Sequence, residues 1–417
     1  MVVPARERPA RAHVGPSGSS DFTAADFPAE PELQCDIVMK GGITSGVVYP
    51  LAVCELATTY RLRSVGGASA GAIAAAAAVA AEMGRRSVLP RSEPSAGAAA
   101  AGQGAAGHGV AGAALPPPTT ADALPRGFLG LAQFPRLLAA NQPDGRSLLF
   151  HLFRPQRGAE RLFGLLSAVL EQKTKLPDKP SRLLLLRAAL AVIGHATARA
   201  PIRSLLGVVL GLTLVVLGVV GLVRLPAGSG TLVVVTLALA IVVGILATKV
   251  GLAIALLSGV LADLGRLPSM GFGMSSGRGT DDSELALTPW LYRRLQDLAG
   301  RPYDQPLTFG HLQADELQLQ MMTTNLSWSQ PMAMPWNDDI YFFQPAEFEK
   351  LFGPVVVQAM IDHPPPLPSG PVGRRIREVL LVHAGSLRPF PRAADLPLIV
   401  ATRMSLSFPL LISAVPL

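Results

Sequence analysis

The chain has 417 residues, room for two or three domains at roughly 150 residues each, or for one large one. Hydrophobic residues make up 49% and charged residues 16%, against roughly 25% charged in ordinary soluble domains. That composition excludes a wholly disordered chain and argues for membrane contact, and the 41 Gly follow no three-residue period, which excludes a collagen-like rod. Two cysteines, Cys35 and Cys54, make no disulfide framework, and no Cys/His spacing reads as a zinc site, so a reducing, cytoplasmic-side location is the simpler expectation. The 36 Lys and Arg outnumber the 29 Asp and Glu, leaving +7. On sign alone this suits anionic lipid headgroups or nucleic acid. No nucleic-acid motif accompanies it, so the membrane is preferred and no nucleic-acid partner is expected.

Residues 1–31 are rich in Arg, Ala, Pro and Ser, lack the apolar core of a secretory signal, and read as a disordered tail. Residues 32–86 alternate strand and helix. Gln34–Lys40 reads as a buried strand stopping at Gly41-Gly42, a helix follows around Val47–Thr58, and Arg61–Val65 is a second strand ending in Gly66-Gly67. Ala70–Glu82 is nearly all Ala and strongly helical. This order predicts an α/β fold, a parallel sheet with helices on both faces. Residues 87–125, rich in Ala, Gly and Pro, read as a flexible low-complexity linker, and 126–203 as a helical basic insert.

Residues 204–262 predict a transmembrane helical hairpin. Leu205–Val223 carries no charge over 19 residues, and a helix of that length spans about 28 Å, close to the hydrocarbon core. Arg224–Gly230 reads as a turn, and Leu232–Ala262 as the second arm, with Lys249 snorkelling to the interface. Seven Lys and Arg between Glu171 and Arg203, against Arg224 alone in the turn, place the flanking domain on the cytoplasmic side of the inner membrane. A pair of buried core helices is the other reading of the same stretch. Residues 263–417 return to globular composition. They hold a helix at 289–299, a strand at Glu316–Thr324, a short helix at Pro345–Phe352, and short apolar runs at Val379–Val382 and Leu396–Ala401.

The chemistry centres on Gly67-Ala68-Ser69-Ala70-Gly71, a G-x-S-x-G between a strand and a helix. Such a turn thrusts a serine hydroxyl outward, and the amides of the following helix face any oxyanion that develops there. The plain alternative is an Ala/Gly helix start with an incidental serine. Gly273–Gly277 also fits the pattern, but no apolar strand precedes it and no helix-forming run follows, so it reads as a loop. Lys40-Gly41-Gly42-Ile43-Thr44-Ser45-Gly46 follows the first strand. It lacks the signatures of a P-loop or a dinucleotide fold. Adjacent parallel strands would bring this glycine turn and the Ser69 turn to one sheet edge. Trp290, Trp328 and Trp336, with Met321, Met322, Met332 and Met334, are candidates for an acyl-chain pocket or ordinary core.

The segments CDIVMKGGITSGVVYPLAVCELA and YRLRSVGGASAGAIAAA resemble patatin-like phospholipases, most of all a bacterial membrane-associated subgroup. Softer matches are PLTFGHL, MTTNLSWSQP and ATRMSLSFPLLISAVPL, and the resemblance covers about 33–86 and 268–417. It implies a patatin-like hydrolase fold and a Ser–Asp dyad cleaving lipid acyl esters without metal or cofactor. By resemblance Ser69 is the nucleophile, Gly67 and Gly71 form its elbow, and Gly41, Gly42, Ile43 and Ala70 supply the oxyanion hole. Ile43 and Ser45 depart from the family's loop, which usually has a third glycine and a basic residue there. The dyad Asp belongs in an Asp-Gly pair beyond the segment matching 401–417, so little or no turnover is expected of the chain as it stands. Asp144-Gly145 comes too early in family order and reads as a turn. Three explanations stay open: a sequence that continues beyond Leu417, a non-catalytic membrane-anchored adaptor, and another base. For a Ser-His-Asp triad the candidates are His151, His195, His311, His363 and His383, of which His383 near Asp395 is the best. Oligomeric state is open.

Overall fold

A computed structural model describes residues 22–42, 45–86, 123–175, 230–279, 285–336, 341–383, 386–408 and 410–417, with Val209, Thr213, Val216 and Val220 besides. The predicted tail (to residue 21), most of the linker, the end of the basic insert and most of the first hairpin arm lie outside the described residues. The chain divides into two compact units, Met1–Arg154 with Gly277–Leu417, and Pro155–Ser276.

The first unit is built on strand β1 (Leu33–Met39), helix α1 (Ser45–Ala57), strand β2 (Tyr60–Ala68) and helix α2 (Ala70–Arg86). Among its further elements are helix α3 (Leu287–Ala299), strands β3 (Gln318–Asn325) and β4 (Gln330–Met334), and helix α4 (Leu398–Leu406). The sheet order is β1-β2-β3-β4. β1 and β2 run parallel with Val38 opposite Gly66 and Met39 opposite Gly67, and β2 runs parallel to β3 with Ala68 opposite Met322. β4 returns antiparallel, Met322 facing Ala333.

Helix α2 forms the centre of the core. Its residues from Gly71 to Arg85, Ile73 aside, are buried, as expected of a helix apolar on all sides. It packs against β2, α1, α3 and α4. The small Ala side chains permit close approach: a Cβ added at Gly84 would lie 1.9 Å from the Leu298 carbonyl oxygen of α3. At the end of α2 the buried Glu82 carboxylate pairs with Arg85 and, at 3.3 Å, with Arg86. It also accepts the Leu62 N–H. Arg85 donates to the carbonyls of Ala57 and Tyr60 at 2.9 and 3.2 Å, so one ion cluster ties the end of α1 to the start of β2.

Two expectations about this sheet need correction. It is mixed rather than parallel, because β4 turns back antiparallel along β3. Among the described residues, helices cover one face, not both. Met39, Val65, Leu319, Met321 and Met334 are buried beneath them, whereas Val38, opposite Gly66 on the other face, is 87% exposed, and Gln318, Gln320 and Met322 are exposed with it. Alternation explains the difference: the residues β3 directs to the open face are Gln318, Gln320, Met322 and Thr324, which water tolerates.

The second unit holds helices Glu160–Lys175 and Gly230–Leu264, which pack together, a 3-10 turn Leu267–Met270, and strand Gly273–Ser275. Gln156 fastens its loops: its backbone N–H donates to the Met274 carbonyl at 2.7 Å and its side-chain amide to those of Met270 and Gly273, both at 3.1 Å.

The transmembrane hairpin is also corrected. Among the described residues, no helix is long and apolar enough to cross a membrane. The inner-membrane location and the membrane-anchored character drawn from the hairpin lose their basis with it. The predicted turn lies outside the described residues up to 229. The second arm is one helix that carries Lys249 within its length, not at the flank where a snorkelling lysine belongs. Its described side chains include exposed Val234, Leu239, Ile254 and Leu257, with Lys249 and the buried Asp263 among them. Hydropathy registers the apolar residues of such a run, but not where the helix they form begins, breaks or ends.

Candidate active site

The elbow lies where β2 gives way to α2. β2 ends at Ala68, α2 begins at Ala70, and Ser69 between them has φ 55°. A non-glycine residue in the left-handed region is strained and persists only where its surroundings hold it. The flanking glycines explain how the turn closes. A Cβ at Gly67 would lie 2.3 Å from the Gly71 carbonyl oxygen, and one at Gly71 would lie 2.1 Å from the Met39 carbonyl oxygen. The turn is therefore pressed against the end of β1, leaving Ser69 half-buried.

The glycine turn after β1 comes to the same edge. A Cβ at Gly41 would meet Ser69 Cβ at 2.8 Å and Ser69 Oγ at 3.5 Å. The parallel pairing of Met39 with Gly67 sets this juxtaposition, since both chains leave the sheet at the same level. Gly42 follows, exposed, and Ile43 lies outside the described residues. Ala70 is the first residue of α2, so its N–H has no acceptor within the helix, and the helix terminus favours negative charge there.

Ser405, on α4, was not singled out by the sequence. Its hydroxyl accepts the Ser69 backbone N–H at 3.1 Å and donates to the Met322 carbonyl at 2.6 Å. It falls inside the ATRMSLSFP segment that carries the family resemblance, but no local pattern marks it. Among the described residues, no side chain hydrogen-bonds the Ser69 hydroxyl.

Among the described residues, no histidine assembles a triad with Ser69. His151 Nε2 pairs with Asp144 Oδ1 at 2.8 Å, and this bond, with that from the Arg146 N–H, holds the exposed Asp144 carboxyl below its ordinary pKa. Asp144 thus serves a turn and its histidine. His311 Nδ1 accepts the Thr308 N–H at 3.1 Å in a capping box. Burial, with Arg301 nearby, pushes its pKa below 6.5. His363 Nδ1–H donates to the Ala359 carbonyl at 2.9 Å. His383 is exposed at the end of helix Gly370–Val382, and among the described residues it shares no hydrogen bond with Asp395. His195 lies outside the described residues.

The second G-x-S-x-G contains strand Gly273–Ser275 rather than the expected loop, and Ser275 is fully buried, with no helix following it. The tryptophans and methionines do not gather into one pocket. Trp290 packs on Phe134 in the core, Met321 and Met334 lie beneath the sheet, Trp336 stacks with Phe390, and Trp328 is exposed on the β3–β4 turn. A hollow lined by Phe22, Leu129, Ala132, Gln133, Arg136 and Leu137 includes none of the elbow residues. Among the described residues, no three His, Cys, Asp or Glu side chains gather to hold a metal ion.

The structure thus brings the Gly41 turn against a left-handed Ser69 where β2 gives way to α2. No family model matches the chain. No solved structure matches it. Among curated proteins it is similar to the RpoH suppressor of Rhizobium meliloti (strain 1021), at 34% identity over 402 residues, 93% of this chain and 53% of that protein. The chain thus spans about half the length of the curated relative it matches. That name is not the name of a hydrolase or of a membrane protein, so hydrolase and membrane labels gain nothing from the relative.

Proposed function

We propose that Ser69 is the nucleophile of an acyl-ester hydrolase acting on lipid esters. The observation that carries this reading is the left-handed Ser69, φ 55°, with Gly41 packed against its Cβ. Attack of Ser69 Oγ on the ester carbonyl forms a tetrahedral oxyanion beside the Gly41 loop and the Ala70 N–H. Collapse expels the alcohol, and water then releases the acid. The Ser69 proton passes to a base that, by resemblance to the patatin-like family, is an Asp. Lipid esters are supported by that resemblance and by an exposed apolar side chain beside the elbow, Met322, whose strand partner is Ala68.

The reading is tested with a fluorophosphonate probe, which phosphonylates active-site serines. Slow labelling located at Ser69 by mass spectrometry, and absent in Ser69→Ala, is the expected result. Labelling equal in the two chains would refute it. A second reading, a non-catalytic lipid-binding protein, draws on the absence among the described residues of a base on the Ser69 hydroxyl. Under that reading the chain binds a fatty-acyl ligand equally well with Ser69→Ala and takes up no phosphonate.

A further inference from the structure

Helix α4 is fixed at both ends. At its start the Leu398 N–H donates to the Leu307 carbonyl at 2.8 Å, and Thr308 bridges Pro397. Near its end the Thr323 hydroxyl of β3 donates to the Met404 carbonyl at 3.0 Å. Thr402 Oγ1, between these points, lies 3.7 Å from Met321 Sδ. The helix is therefore registered against β3 residue by residue, and Ser405 is the position from which it reaches the elbow.

We propose that Ser405 is a positioning residue for Ser69, an inference that rests on the nucleophile reading above. Ser69 has two features that need support: a left-handed backbone, and an N–H at the mouth of α2 where no helical acceptor exists. The Ser405 hydroxyl meets both. Its oxygen accepts the Ser69 N–H at 3.1 Å, and its proton is committed to the Met322 carbonyl at 2.6 Å. Because that proton already points at Met322, the lone pairs face the elbow, and the hydroxyl acts as a fixed acceptor rather than a free rotor. Met322 in turn pairs with Ala68, the residue before Ser69. Ser405 thus closes a small ring through the last residue of β2, its neighbour on β3 and the nucleophile itself. A change in the tilt of α4 changes the peptide plane of Ser69 and, with it, the direction of Oγ. Ser405 does not touch the reacting atoms and takes no proton from Oγ. Its role is to hold the φ that exposes the hydroxyl.

The test uses the whole chain, with Ser405→Ala, Ser405→Thr and Ser405→Cys. Two quantities are read: the phosphonylation rate at Ser69, and hydrogen exchange of the Ser69 amide. Ser405→Ala is expected to slow phosphonylation about tenfold, the effect of roughly one hydrogen bond in the transition state. It is also expected to speed Ser69 amide exchange while amides in mid-β2 keep their protection. Ser405→Thr, which keeps the hydroxyl, restores both quantities. Ser405→Cys, a weaker acceptor, falls between and serves if the alanine variant fails to fold. Wild-type rates and wild-type Ser69 exchange in both Ser405→Ala and Ser405→Cys would overturn this inference alone. A wild-type chain that never labels at Ser69 would overturn the nucleophile reading and this inference with it.

Discussion

Replacing Gly71 by alanine tests the packing on which the elbow depends. Gly71 does not have positive φ, so its backbone accepts an alanine. In an open helix the exchange would stabilise by up to about 1 kcal/mol. Here the new Cβ would lie 2.1 Å from the Met39 carbonyl oxygen, 2.8 Å from Met39 C and 3.0 Å from Lys40 C. Ordinary contact starts at 3.4 Å, so the shortfall is about 1.3 Å. The obstacle is the backbone of a strand held in register with Gly67, so no side chain can rotate out of the way. Overpacking typically costs about 1–3 kcal/mol, and a backbone obstacle places this case at the upper end. After the helix-propensity gain, Gly71→Ala is expected to lose about 2 kcal/mol. Urea unfolding followed by far-UV circular dichroism reads this as a lower midpoint at unchanged slope. Gly259→Ala is the control: among the described residues nothing lies within 4 Å of its added Cβ, and it should be as stable as the wild type or slightly more so. A Gly71→Ala chain that unfolds at the wild-type midpoint or above would refute the close approach of α2 to β1, and the elbow geometry built on it.

Gly41→Ala places a Cβ 2.8 Å from both Ser69 Cβ and the Ala68 carbonyl oxygen. The two turns must part by about 0.6 Å, and since a misplacement of about 1 Å can cost roughly a hundredfold, labelling of Ser69 should slow about tenfold. Glu82→Ala leaves Arg85 and Arg86 without their buried counter-charge, and thermal or urea unfolding should show a loss of about 3–5 kcal/mol; a loss below about 1 kcal/mol would mean the cluster is not closed as described. His311 gives a pH signature. Burial depresses its folded pKa below 6.5, so the unfolded chain takes up the proton first as pH falls. Its contribution is complete above pH 6.5 and is lost as pH drops through the lower folded value, where a protonated Nδ1 can no longer accept the Thr308 N–H. His311→Asn, which does not titrate, should show a smaller fall in urea midpoint than the wild type over that interval; equal slopes would count against the capping role.

What the sequence disclosed follows the reach of each signal. Glycines at 67 and 71 marked the elbow because steric need at a tight turn is local, and the parallel order of β1 and β2 then predicted that Gly41 would meet it. Strand β4 carries no clear local signal: Gln330–Met334 contains Pro331, which has no N–H to give a sheet ladder. The structure makes it an edge strand. Asn325 Oδ1 accepts the N–H groups of Ser327 and Trp328 and turns the chain back, so the proline sits at the sheet margin where its missing donor does little harm. The hairpin expectation fails for the opposite reason. Apolar content over a window is a strong local signal that says nothing about where the resulting helix starts or stops, or what its neighbours cover. Ser405 lay beyond reach altogether. It is 336 residues from Ser69, and a serine near the end of an apolar helix offers no periodicity, charge or glycine to betray its partner. Only the packing of α4 on β3 decides which amide that hydroxyl meets. The surroundings of Ser69 are therefore set partly by residues whose own local sequence carries no sign of chemistry, and Ser405, the acceptor of its N–H, belongs to that group.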